Sequence, residues 1–230
     1  MAKTSKNVLG DQRGRIGKVV GKVIDGVQMY SAHTDAVKNP RTEKQIAHRA
    51  RFAETMRLSK AMKAVIKIGF KRTAAKQKLI SPSNIFFKEN KSKISYNKNT
   101  GETSVDYEHI VISEGETPFV LFSGVTFPEA LKVTASFNGC NDTPGALRDD
   151  SVYIAVYSPT LSMCATGIGK RSDSSVTVTL PSIWANETVY VWGFVKTSAE
   201  EDISIDDYGI TLHPGDCSSS FYIGTGTVTE

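Results

Sequence analysis

Val189-Tyr190-Val191-Trp192-Gly193-Phe194-Val195 puts Tyr190, Trp192 and Phe194 on one face of an extended strand and Val189, Val191 and Val195 on the other, because successive strand side chains point to opposite sides. Both faces are apolar, as expected of a central strand covered above and below. Outward from this stretch, short β-branched and aromatic runs recur between turn-forming residues at 105–113, 119–124, 131–137, 151–157, 175–180, 188–197 and 221–228. About seven such strands predict an all-β, immunoglobulin-like sandwich over residues 99–230. The Cys-Trp-Cys spacing of antibody domains is missing, so the expectation concerns architecture alone.

Upstream of residue 99 the period changes. Ile46, Ala50, Ala53, Ala61, Ala64 and Ile68 recur near helical spacing, and Phe52, Met56, Leu58, Met62 and Val65 widen the apolar surface beyond one stripe. Pro40 restricts Asn39, and Thr42 with Gln45 forms a capping box, so a helix is predicted over 43–68. Gly69 ends or bends it, with a second short helix near 71–79. Pro82 and Ser83-Asn84 break the pattern, leaving Ile85-Phe86-Phe87 as an apolar peg before the polar run 88–98. Nearer the start, Ile16 to Ile24 alternates β-branched residues with glycines, and Asp25-Gly26 turns the chain back into Val27-Gln28-Met29-Tyr30 as a hairpin. The predicted class is α+β: a basic N-terminal β-hairpin plus long helix region over 1–98, then the sandwich over 99–230.

Charge divides at the same place. Residues 1–98 hold 23 Lys and Arg against 6 Asp and Glu, a net +17, whereas residues 99–230 hold 5 against 18, a net −13. The expectation is of two separately folded parts of opposite sign. No apolar run suits a signal-peptide core or a membrane span, so the chain reads as soluble. Cys140, Cys164 and Cys217 are widely spaced and odd in number, which favours reduced, partly buried thiols over a disulfide framework or zinc site.

The chemistry-bearing pattern is cationic. Arg49, Arg57, Lys60, Lys63, Lys67, Lys71 and Arg72 are the candidate docking residues, and Lys60, Lys63, Lys67 and Lys71 fall three or four apart on one helical ridge. Such a ridge can follow a polyanion without reading its bases, or dock on the acidic surface of another subunit. Few aromatics interleave with these charges, against a base-stacking platform. Gly17-Lys18 is followed by Val19 in place of the hydroxyl residue a phosphate loop needs. His33, His48, His109 and His213 are isolated, and no nucleophile motif is present. Glu200-Glu201-Asp202 with Asp206-Asp207 lacks the spacing of a calcium loop. No catalytic residue, cofactor or metal site is predicted. Exposed rings at Tyr153, Tyr157, Trp184 or Trp192 would suit carbohydrate stacking.

Gly14, Gly17, Val19 and Gly21, then Asn39-Pro40-Arg41-Thr42 with Gln45, Arg49 and Phe52, then Gly69-Phe70-Lys71, together resemble a family of uncharacterised proteins from Bacteroidota and their bacteriophages. The likeness continues in Val189-Tyr190-Val191-Trp192 and in Ser219-Ser220-Phe221-Tyr222-Ile223-Gly224. It implies a host group and no mechanism. The expected function is therefore a non-enzymatic structural protein of a virion (capsid, neck or tail associated), oligomeric or part of a larger assembly, docking through its basic half. The alternative is a cytoplasmic protein contacting nucleic-acid phosphates through the basic helix.

Overall fold

The computed structural model describes residues 2–4, 12–24, 26–36, 41–77, 81–205 and 209–230. The chain forms two compact units, Met1–Thr42 and Glu43–Glu230.

In the first unit, β1 (Ala2–Thr4), β2 (Gly14–Ile16), β3 (Val19–Ile24) and β4 (Val27–Ala32) form an antiparallel sheet in the order β1-β4-β3-β2. The expected hairpin is present: Ile24 pairs with Val27, and Gly26 takes a φ of +73°. Its other turn residue, Asp25, lies outside the described residues, as do Lys38, Asn39 and Pro40. A second hairpin, concealed in the continuous alternation of 16–24, turns at Gly17-Lys18 between Ile16 and Val19. Among residues 12–24, 26–36, 41 and 42 only Gly21 and Gln28 are buried. The Gln28 side chain substitutes for a strand partner: its Nε2 donates to the Gln12 carbonyl at 2.7 Å, and its Oε1 accepts the Gln12 N–H at 2.9 Å.

The second unit opens with α1 (Glu43–Ala61), α2 (Lys63–Gly69), α3 (Lys71–Lys76) and α4 (Pro82–Asn90), then a hairpin of β5 (Ile94–Tyr96) and β6 (Thr103–Val105). Next come β7 (Leu121–Thr126), β8 (Lys132–Asn138), β9 (Ser151–Ser158), β10 (Met163–Lys170), β11 (Ser175–Thr179) and β12 (Thr188–Lys196). A small hairpin of β13 (Ile203–Ile205) and β14 (Ile210–Leu212) precedes the last strand, β15 (Phe221–Thr227). Two antiparallel sheets result, β10-β9-β12-β15 and β11-β8-β7. The protein is α+β.

Two apolar clusters share the strands β9 and β12. Val152, Ile154 and Val156 with Val189, Val191 and Val195 face Val133, Ala135, Val176 and Val178 of the other sheet. On the opposite side of the same strands, Ala155, Tyr157, Trp192 and Phe194 pack against Leu58, Met62, Val65, Ile66, Phe70, Ile85 and Phe86 of the helices. The central-strand pattern of residues 189–195 is therefore realised, with a sheet on one side and a helical layer on the other. The division expected between residues 98 and 99 falls inside this unit. Each large side chain in the shared cluster contributes about 1.5–3 kcal/mol by leaving water, and that gain requires helices and sheet together. The helical part of the basic half, from residue 43 onward, is thus joined to the acidic half in one core instead of folding apart from it.

Local departures from expectation have physical causes. The helix predicted over 43–68 is bent at Met62 (φ −93°, ψ 17°) and again at Phe70 (φ −111°, ψ 12°), while bonds such as Ile66 N–H to Met62 O, 3.0 Å, carry the backbone through. At the second bend a Cβ on Gly69 would lie 2.4 Å from the Ile112 carbonyl, so the close approach of that segment requires glycine. Pro82 does not break helical structure; it starts α4, with Ser81 as N-cap, because proline suits the first helical turn. The strand predicted at 105–113 ends at Val105. Beyond it the backbone bonds to other elements: Val111 N–H to Asn90 Oδ1 at 2.8 Å, and Ile112 N–H to Ser220 Oγ at 3.0 Å. β10 escapes the strand pattern because of Gly167 and Gly169. A Cβ on either would come within 2.6 Å of Val178 or 2.4 Å of Val176, across from the other sheet.

Candidate functional site

The helical segments α1 to α3 present their cations according to helical geometry. At about 100° per residue, Arg49, Lys60, Lys63, Lys67 and Lys71 fall within one arc of about 80°, opposed to the side that carries Leu58, Met62, Val65 and Ile66 into the core. All five are exposed. Lys60, Lys63, Lys67 and Lys71 have no carboxylate within ion-pair distance among the described residues. The ridge read from the sequence is thus assembled across both bends.

Arg57 and Arg72 leave this ridge. Arg57 pairs with Glu54 at 2.6 Å and crosses to the β9–β10 turn, donating to the Pro159 carbonyl at 3.2 Å and to the Ser162 hydroxyl. The hydrogen bonds to Glu54 hold its guanidinium pKa above the ordinary value. Arg72 Nε lies 3.3 Å from Asp216 Oδ1; the angle makes no hydrogen bond, so the contact is ionic. These two of the seven candidates fasten helices to the sheet layer.

A feature hidden from the sequence lies beside the N-terminal part of α1. His48 and Arg51 line a cleft of about 250 Å³ with Phe87, Lys91 and Ser92 from α4 and the turn after it. Phe52 packs edge-on against Phe87, ring centroids 5.1 Å apart, and keeps 46% of its surface exposed. Charge and aromatic surface, which do not interleave along the chain, meet here because α4 brings Phe87 and Lys91 to α1. The signal available in the sequence was Ser81-Pro82, a helix start.

The other candidates are in structural roles. His33, His109 and His213 each place Nδ1 on an aspartate, Asp35, Asp106 and Asp202, at 3.0, 2.8 and 2.7 Å. Asp202 is thereby engaged, and Asp206 and Asp207 lie outside the described residues, as does Lys78. Tyr157, Trp184 and Trp192 are buried, and Tyr153 stacks on Phe194 at 5.2 Å, so these rings form no sugar-binding platform. Burial pushes the Cys217 thiol up to about 12 and away from the thiolate that nucleophilic chemistry needs. No described helix is long and apolar enough to cross a membrane.

Fold and site together define an α+β protein whose helical layer, seated on a β-sheet, turns a cationic face to solvent. The chain belongs to a family of unknown function, DUF6266, whose model matches residues 11–205. No curated protein and no solved structure matches the chain.

Proposed function

We propose that this chain is a non-enzymatic structural protein that docks into a larger assembly through the exposed face of α1 to α3, in the setting of a bacteriophage virion. The observation that carries this reading is the row Lys60, Lys63, Lys67 and Lys71, held in solvent on a bent but continuous helical rod without acidic partners among the described residues. Cations so placed attract an acidic surface over about 10 Å at moderate salt. The acidic segment 99–230 of another copy supplies one. In the first unit, Ile16, Val19, Ile24 and Val27 are exposed, and a sheet with so few buried residues gains stability from a partner surface.

The seven strands β7 to β12 and β15 support an immunoglobulin-like sandwich for the outer body. The first, second and fifth pair in one sheet; the third, sixth and seventh pair in the other, as in that fold. The fourth strand, β10, joins the third here, where a constant-type domain pairs it with the fifth. The phage setting rests on the resemblance of the Gly14–Gly21, Asn39–Gln45 and Gly69–Lys71 motifs described above.

Light scattering of the full chain across a salt series tests the proposal. Multimers at low salt should dissociate as salt rises, and the triple variant Lys60→Ala, Lys63→Ala, Lys67→Ala should remain monomeric. A strict monomer at low salt and high concentration sinks self-docking. The alternative, duplex nucleic acid held by the same lysines, predicts binding whose logarithm falls by about 0.9 per phosphate contact with log salt.

A further inference from the structure

We propose that the cleft between α1 and α4 is a binding site for single-stranded nucleic acid, in which His48, Arg51 and Lys91 meet the phosphodiester backbone and a base stacks on the aromatic pair Phe52 and Phe87. This site is separate from the lysine ridge and does not depend on the docking role of that ridge.

The inward side of α1 carries Thr55, Leu58 and Ser59 into the core. The same side, continued towards the N-terminus at about 100° per residue, brings His48, Arg51 and Phe52 over α4. A helix covering a neighbour at such positions ordinarily presents apolar residues. Here the cleft of about 250 Å³ is lined by His48, Arg51 and Lys91 around Phe87 and Ser92. Neither of the two cations, Arg51 and Lys91, has an acidic partner among the described residues. Arg51 and Lys91 flank the Phe87 ring in one cleft, and an anion entering between them offsets their like charge, with His48 placed to add a hydrogen bond. The half-exposed Phe52 ring, set edge-on to Phe87, offers a flat apolar face beside the charges.

The ligand that satisfies both features joins a phosphate to a planar ring. An acidic peptide would neutralise the cations and leave the ring unused. A duplex offers phosphates, but its bases are stacked on each other and present no free face. A single strand offers both, and every base has a face to stack, so the recognition is tolerant of sequence. The volume suits one base at a time.

The test is fluorescence anisotropy of a labelled oligothymidylate with the full chain, alongside a duplex of equal length and a polyglutamate competitor. The single strand should bind more tightly than the duplex. Phe52→Ala should weaken single-strand binding roughly tenfold without changing duplex binding, and Phe52→Leu, which keeps bulk without the ring face, should behave alike. Arg51→Ala, at an exposed position, should flatten the log-log salt slope by about 0.7. The Lys60, Lys63, Lys67 triple variant should retain the single-strand preference. Equal or tighter duplex binding, insensitivity to both Phe52 substitutions, displacement by polyglutamate at matched charge, or no binding at low salt would each overturn the proposal.

Discussion

Replacing Arg171 with methionine should cost the second unit about 3–4 kcal/mol of stability. Arg171 and Asp150 are both fully buried and joined at 2.9 Å between Nε and Oδ2. The guanidinium also donates to the carbonyls of Gly139 at 2.8 Å, Phe119 at 3.2 Å and Pro118. One side chain thus ties the approach to β7, the end of β8, the start of β9 and the end of β10. Removing one partner of a buried pair costs about 3–5 kcal/mol, chiefly through the charge left uncompensated. The orphaned carbonyls belong to the same penalty and are not added to it. Asp150 retains the N–H groups of Leu147 at 3.0 Å and Ser198 at 2.8 Å, which places the loss in the lower part of that range. Urea unfolding followed by tryptophan emission is the assay, since Trp184 and Trp192 are both buried. Adding Asp150→Asn should recover part of the loss, because no lone carboxylate remains. A loss below about 1 kcal/mol, the scale of a surface pair, would refute the reasoning.

Asn90 donates to the carbonyls of Phe86 at 2.9 Å and Val111 at 2.8 Å and accepts the Val111 N–H at 2.8 Å; Asn90→Ala should therefore lose about 2–3 kcal/mol by thermal unfolding. Gly69→Ala sets helix propensity, about 1 kcal/mol in favour of alanine, against a Cβ 2.4 Å from the Ile112 carbonyl; the clash should prevail and lower Tm, and a rise would refute the packing. Burial raises the Cys217 thiol from 9.0 to about 12, so the unfolded chain releases this proton first and stability should fall as pH climbs from about 9 towards 12. Cys217→Ala should flatten that decline in fluorescence-monitored unfolding.

Residues 189–195 gave both their faces away because a strand covered on each side must be apolar throughout, and the local pattern records it. The lysine ridge was equally legible, since spacing along a helix fixes direction. What covers the outer face of β12 was not legible. The helices could have buried their apolar side against one another, and nothing in a local pattern names a partner about 130 residues away along an extended chain. The same limit concealed the roles of Arg57 and Arg72, whose neighbours Ser162 and Asp216 are supplied by distant turns. The strand at 163–170 was lost to Gly167 and Gly169, which answer to valines of the facing sheet. The cleft residues are scattered over α1, α4 and the turn after it, and α4 is opened by a proline that reads as a breaker in isolation.

The hydroxyl of Ser113 donates to the Ser218 carbonyl, 105 positions along the chain, at 2.6 Å, and β15, which ends at Thr227, closes one margin of the larger sheet. During synthesis on a ribosome the amphipathic helices emerge well before the strands that shelter Leu58, Phe70 and Phe86. At roughly 5–20 residues per second that interval lasts several seconds, during which greasy surface stands open to other nascent chains. Chaperone demand in the cell, and inclusion bodies on overexpression at high temperature, are the outcomes expected from this order of appearance.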